Sequence, residues 1–546
     1  MTSRSKLGKL KGRTLALRRR PVPLSARLRL IPLSPRDWQM ELREYALSDA
    51  AGNFDFGVLP AGNYRLETTA DDLATDVREL RVRTGETLGL TIEPGREGAL
   101  PMILPLLLLL VLRTDEAITS PVKDSIRARV ESGFNPAVIV GVIDGEGRRD
   151  YFGLGAVDSD RDGEPKGTLD RDSVFEIGSI TKVFTSIVLA SMVNEGAVQL
   201  DDPVAEHLPA TVKLPTRNGE QIRLVHLATH TSGLPRMPMN FAPKDPANPY
   251  ADYTVQAMYD FVSSYALKVD IGANAEYSNL GVGLLGHVLS LVAEMPYERL
   301  VTERVLAPLK MGDTSITLTP RMRQHLASGH SGVVPAANWD LPTFAGAGAL
   351  RSTASDMLTF LAANLNAVTG ADQSELASAL RLTHEPRHAF GNDQIGLGWI
   401  MFKTARGRVL WHNGGTGGYR SFAGFRDDGS RAVVVLTNSD VGCDDIGFNL
   451  LDEHRPLSPP RATVMLDRAT LAPYAGKYQL APGVTFDVEL RGRNLTAQLT
   501  GQSRFTLYAQ SPTQFFYAEL PATITFEKDA LVLHQGGVDQ RAARLP

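Results

Sequence analysis

The segment Ile180 to Asn194 is apolar on almost every face and stops just before Gly196. A helix without a polar stripe has nothing to offer water, so other elements must enclose it on all sides. This predicts a large layered domain with that helix inside it. The chain's 546 residues exceed what one hydrophobic core holds, and at roughly 150 residues per domain three or more units are expected.

Strand patterns stand on both sides of this helix. Ala137 to Ile143 and Arg148 to Gly155 flank Asp144-Gly145-Glu146-Gly147 and predict a hairpin. Helical patterns follow around Leu280 to Ala293 and Met357 to Ala363, and strand patterns return at Val409 to His412, Ser421 to Arg426 and Ala432 to Asn438. Strands, helices, then strands predict an α+β domain over 118–455, its antiparallel sheet assembled from both ends of that segment. Pro456, Pro459 and Pro460 mark a linker between Glu453 and Arg461. Short alternating runs from Asp487 to Leu533 then predict a C-terminal all-β module over 463–546.

Three segments precede the large domain. The first 36 residues carry eleven Lys or Arg and no acid, and residues 1–25 read as a solvated, disordered basic tail. Residues 26–95 alternate in short runs, such as Asn53-Phe54-Asp55-Phe56 and Asn63-Tyr64-Arg65-Leu66, and read as a small all-β unit. Leu100 to Leu112 is continuously apolar, shorter than a span of about 20 residues and of signal-peptide core length. The segment 99–113 is therefore expected to direct export or to attach the chain to a membrane, with a buried helix as the alternative.

Elsewhere 43% hydrophobic and 22% charged residues with a net charge of −4 describe a soluble globular chain and exclude a coiled coil or a multi-span membrane protein. No nucleic-acid partner is expected. The single cysteine, Cys443, excludes an intrachain disulfide and a multi-cysteine metal site.

The buried helix opens with Ser179-Ile180-Thr181-Lys182. A spacing of three puts the serine hydroxyl and the lysine amine on one face, one turn apart. A hydroxyl needs an adjacent base to become a nucleophile, and a lysine becomes a base only when desolvation or a nearby cation lowers its pKa. The same pattern occurs at Ser3 to Lys6 and at Ser120 to Lys123, so context selects Ser179, where a helix N-terminus also brings backbone N–H groups to the serine. Tyr277-Ser278-Asn279 stands just ahead of the helical pattern at Leu280, and Trp411-His412-Asn413-Gly414-Gly415-Thr416-Gly417-Gly418-Tyr419 ends a strand in glycines that permit close approach by a ligand. His226 and His230 stand four apart, but Leu227 occupies the place where a helical zinc protease needs its glutamate. No metal and no organic cofactor are expected.

Ser-x-x-Lys, then Tyr-x-Asn, then a strand ending in a basic residue, any residue and glycine resembles the class C β-lactamase and penicillin-binding protein superfamily. Leu227 to Pro235 and Gly346 to Met357 are also typical of it. The resemblance implies a β-lactamase/DD-peptidase-like fold, with Ser179 as nucleophile, Lys182 as its base and Tyr277 as proton shuttle. Asn279, His412, Gly414 and Gly415 would contact substrate, the backbone N–H groups of Ser179 and Gly415 forming the oxyanion hole. Lys-Thr-Gly is the β-lactamase pattern where His412 stands, and a histidine near pKa 6.5 is mostly neutral. The expected reaction is therefore hydrolysis of D-amino-acid peptides, including peptidoglycan-derived ones, or of small esters, by an exported or membrane-attached enzyme. A true class C β-lactamase and a penicillin-binding sensor without efficient turnover are the alternatives. Ser48 to Tyr64 resembles the carboxypeptidase-regulatory-like β-sandwich, and Leu471 to Tyr478 with Ile524 to Glu527 resembles a lipocalin-like β-barrel. These flanking modules imply spacing and control of access, not chemistry.

Overall fold

The computed structural model describes residues 117–159, 165–458, 461, 463–492, 494–502, 504–518 and 520–546, and the backbone of seven strands between residues 7 and 92. The chain divides into two compact units, Met1–Leu112 and Arg113–Pro546. In the first, β1 (Leu7–Thr14), β2 (Ala26–Pro32), β3 (Tyr45–Leu47), β4 (Asn53–Pro60), β5 (Gly62–Ala70), β6 (Asp76–Val82) and β7 (Thr87–Ile92) form two sheets, ordered β4-β1-β7 and β3-β2-β5-β6. Strand β1 corrects the reading of residues 1–25 as a disordered tail. It pairs antiparallel with β4 and parallel with β7, so partners on both edges take up backbone groups that composition alone assigned to water. The apolar run Leu100 to Leu112 lies outside the described residues. Among those described, no single helix is long and apolar enough to cross a membrane.

In the second unit, α1 (Ser120–Glu131) leads into the hairpin of β8 (Ala137–Ile143) and β9 (Arg149–Gly155). The helices that follow include α2 (Thr181–Asn194), α3 (Asn279–Val292) and α4 (Ala354–Thr369). The chain then returns through β10 (His388–Phe390), β11 (Asp393–Ile395), β12 (Ile400–Thr404), β13 (Gly407–Gly415), β14 (Arg420–Arg426) and β15 (Ala432–Thr437), and ends this part with α5 (Asp444–Leu451). The strands make one eight-stranded sheet, ordered β10-β11-β12-β13-β14-β15-β8-β9. Its closing pair, β15 with β8, is antiparallel and sets Val434 opposite Gly141 and Leu436 opposite Ile139.

Both faces of the sheet are covered. Val138, Val140, Val142, Val433 and Val435 pack with Val122, Ile126, Ile446 and Leu450 of α1 and α5. Their neighbours Ile139, Ile143, Val434 and Leu436 join the larger core with α2 and α4. This is the period-two alternation of a strand buried on two sides. Helix α2 is enclosed as its composition requires, with Val183, Phe184, Ile187, Val188 and Leu189 fully buried, and Phe184 stacks on Phe360 of α4 at 4.3 Å between ring centres.

After the linker, eight strands from Gly476–Ala481 to Val538–Arg544 close into a barrel, each paired with the next and the last with the first. Closure leaves no free edge. Two modules in the sequence reading, the hydrolase segment and the barrel, here belong to one compact unit. Phe134 stacks on Tyr508 of the barrel at 4.3 Å, and the barrel's Thr506 Oγ1 accepts from Val333 N at 2.9 Å.

Candidate active site

Ser179 lies in a single 3-10 turn, Gly178–Ile180, that runs directly into α2. Gly178 holds φ +48°, and a side chain there would meet Gly415 N at 2.7 Å. A Cβ on Gly414 would sit 2.0 Å from Ile177 O. The end of β13 therefore abuts the serine turn backbone to backbone, which is why both positions need glycine.

Lys182 is 1% exposed, and its Nζ lies 2.9 Å from Ser179 Oγ and donates to Ala347 O at 2.6 Å. Burial holds its pKa well below the usual lysine range, with the Arg236 charge acting in the same direction. The amine is thereby driven toward its neutral form. Its Nζ stands 4.9 Å from the centre of the Tyr277 ring, and the Arg236 guanidinium 5.0 Å from the same ring. Burial raises the Tyr277 phenol to about 12, while the Ser179 hydroxyl and the Arg236 charge pull the other way. Tyr277 keeps its proton at neutral pH. The rival Ser120 to Lys123 pair opens α1 with Ser120 exposed.

The Tyr-Ser-Asn segment is held by caps and a loop. Ser278 Oγ accepts from Gly281 N at 2.8 Å, capping α3, and donates to Pro235 O at 2.7 Å. Ser278 N donates to His230 Nδ1 at 3.1 Å. His230 itself takes φ +60°, beyond the end of the short helix Leu224–Ala228, so His226 and His230 do not share a helix face. His226 Nδ1 accepts from Arg223 N, and each ring thus has a backbone partner.

Ser179, Asn279 and Gly415 line one cleft with Tyr250, Trp339 and Thr416. His412 and Gly414, expected to contact substrate, are both buried, next in the chain to the cleft residues Gly415 and Thr416. His412 is 1% exposed, with Nδ1 2.5 Å from Asn413 O and its ring 6.1 Å from that of Tyr277. Burial, with the Lys182 charge adding to it, lowers its pKa to about 3, so it is neutral at neutral pH.

Two features escaped the sequence reading. Arg236 is exposed beside Tyr277 and has no ion pair among the described residues; its only signal was a charge following Leu234-Pro235. The second is a buried pair, Arg351 Nη2 to Glu176 Oε1 at 3.1 Å. Asn338 Nδ2 and Trp339 N also donate to Glu176 Oε1, each at 3.0 Å, and Arg351 donates to Trp339 O at 2.9 Å. Together they tie the Trp339 wall to the strand Val174–Glu176 that enters the serine turn.

A family model described as Beta-lactamase matches residues 122–450. The D-alanyl-D-alanine-carboxypeptidase/endopeptidase AmpH of Escherichia coli K12 is 32% identical over 283 residues, 49% of this chain and 72% of that protein. A β-lactamase of Yersinia enterocolitica is 25% identical over 290 residues, covering 53% and 70%. Among solved structures, the class C β-lactamase of Rhodobacter sphaeroides superimposes with a TM-score of 0.52 at 24% identity, over 62% of this chain and 99% of that one. The β-lactamase/D-alanine carboxypeptidase of Pseudomonas syringae gives 0.53 at 19% identity, over 61% and 98%. Both structural likenesses concern the fold.

Proposed function

Because the chain belongs to the beta-lactamase family of serine hydrolases, we propose that it hydrolyses D-amino-acid peptides or small esters through an acyl-enzyme on Ser179. The observation that carries this reading is the buried Lys182 amine, 2.9 Å from Ser179 Oγ and pushed toward neutrality. A neutral amine accepts the Ser179 proton as Oγ bonds to the substrate acyl carbon. In this reading the backbone N–H groups of Ser179 and Gly415 donate to the developing oxyanion. Tyr277, kept protonated by burial, hands a proton to the leaving amine or alcohol as its bond to the acyl carbon breaks. Tyr277 is then reprotonated from Lys182, and water hydrolyses the ester.

The neutral His412 removes the fixed charge that a lysine would supply, which favours a peptidase or esterase over a β-lactamase proper. The exposed Arg236 is the cation left beside Tyr277 to meet an anionic substrate group. A peptidoglycan-derived substrate would go with export or membrane attachment. Intact mass spectrometry with a fluorophosphonate and with labelled penicillin, beside Ser179→Ala, tests the reading. Adducts on the wild type alone are expected, the phosphonyl adduct lasting and the penicilloyl adduct released with time. No adduct with either probe would sink it, and a penicillin adduct that never releases would make the protein a sensor.

A further inference from the structure

A second cavity, away from Ser179, opens where the barrel meets the hydrolase fold. Its volume is about 440 Å³, within the range of about 300–1,000 Å³ usual for small-molecule sites. The barrel side contributes Leu471, Leu495, Leu507, Ala509 and Phe515, and the hydrolase side Val130, Pro136, Ala156 and Val333. Val464 and Met465 stand at its wall 43% and 59% exposed, an apolar entrance left open to water.

Its charge is one-sided. Glu131 and Asp158 line the cavity, and among the described residues no Lys or Arg does. Neither carboxylate has an ion pair among the described residues. Asp158 Oδ1 accepts from the adjacent Ser159 N at 2.8 Å. Asp158, opposite Lys166 in the pairing of Asp158–Ser159 with Pro165–Lys166, and the exposed Glu131 are the described carboxylates of this wall, and they disfavour a fatty acid or an alkyl sulfate and suit an alkyl chain ending in a cation.

The wall of this cavity also reaches the reaction site. His330 and Val333 lie on the hairpin of Gly329–Ser331 and Val334–Ala336. From the barrel, Thr506 Oγ1 accepts from Val333 N at 2.9 Å and donates to Ser331 O at 3.3 Å. On the other side His330 N donates to Gly418 O at 3.2 Å, and a Cβ on Gly329 would meet the Tyr419 ring at 2.6 Å. Thr416 N in turn donates to Tyr419 O at 3.1 Å, and Thr416 and Gly415 line the Ser179 cleft. One hairpin therefore forms a wall of the cavity and packs on the loop that shapes the cleft.

We propose that the junction cavity is an effector site for a single-chain amphiphile with a cationic head group, whose occupancy is read at Ser179 through the hairpin 329–336. The effector role rests on the acyl-enzyme reading, whereas binding does not. A ligand shifts the cleft only by its differential affinity for two arrangements of that hairpin.

Titration calorimetry on the full chain, with decyltrimethylammonium and decanoate below their micelle concentrations, tests it. The cation is expected to bind at least tenfold more tightly, and to change the rate of fluorophosphonate labelling at Ser179 at least twofold in step with occupancy. Asp158→Asn with Glu131→Gln should erase the preference, and Val464→Ser with Met465→Ser, both exposed, should weaken binding without touching the core. Equal affinity for both head groups, an affinity indifferent to the rim substitutions, or binding that leaves labelling unchanged would each overturn the proposal. Failure of the acyl-enzyme reading is distinct, because the wild type would then take no label even without amphiphile.

Discussion

The centre around Ser179 and the wall of its cleft are built on different length scales. Ser179 and Lys182 are three residues apart on one helical turn, and the core around α2 desolvates the amine. The wall is assembled from Tyr250, Asn279, Trp339 and Thr416, far apart in the chain. Its links include Asn248 Nδ2 to Asp340 Oδ2 at 2.9 Å and the buried Glu176–Arg351 pair. The comparison teaches that the chemistry is carried locally, while what the chemistry meets is carried by long-range polar tethers.

The largest effect that would break this contrast is at the centre. Ser179→Ala is expected to take no acyl label. Lys182→Met should slow labelling by about 10²–10⁴, the usual contribution of a general base, with thermal unfolding showing that the fold survives loss of a buried amine. If Lys182→Met were labelled at the wild-type rate, the base would have to be sought elsewhere.

The wall should fail through stability. Arg351→Met leaves Glu176 buried without its cation, and urea unfolding is expected to show a loss of about 3–5 kcal/mol. Adding Glu176→Gln should restore part of it; an additive double variant would mean the pair is not coupled.

Acid sharpens the comparison from another side. His384 and His412 are lowered to about 3 by burial, against about 6.5 in the unfolded chain. Below pH about 6.5 the unfolded state binds the proton and the folded state does not, so stability falls as pH drops toward 3. Unfolding free energies from urea titrations at pH 7 and pH 4.5 should differ by on the order of a few kcal/mol, and His384→Gln should flatten part of that dependence.

The smallest expected effect is that of Arg236→Gln on the pH profile. The Arg236 charge lowers the Lys182 pKa, so removing it should move the acid limb of Ser179 labelling to higher pH, measured at low salt where screening is weak. An unmoved limb would place Arg236 outside the electrostatics of the centre.

Much of this fold was legible. The turn Asp144 to Gly147 with alternation on either side announced the β8–β9 hairpin, and the apolar stretch from Ile180 announced α2 to within a residue. Helix α4 was underread, since Met357 to Ala363 is its apolar middle; Thr353, whose side chain accepts from Asp356 N, starts it well before the periodicity is strong. Strand β1 was missed because lysines alternate with apolar residues along it, and charge was read ahead of pairing.

By itself the sequence determined the adjacency of Ser179 and Lys182, the place of Tyr277 and Asn279 just ahead of a helix, and a strand ending in glycines that admit close approach. These follow from helical period and the lack of a Cβ, both of which act within a few residues. Only the tertiary structure decided that Lys182 is driven toward neutrality, that His412 is buried with its pKa lowered to about 3, and that Arg236 comes beside Tyr277. It also joined Glu176 to Arg351 across 175 positions. Burial and electrostatic fields sum over neighbours wherever they lie in the chain, and no local pattern encodes that sum.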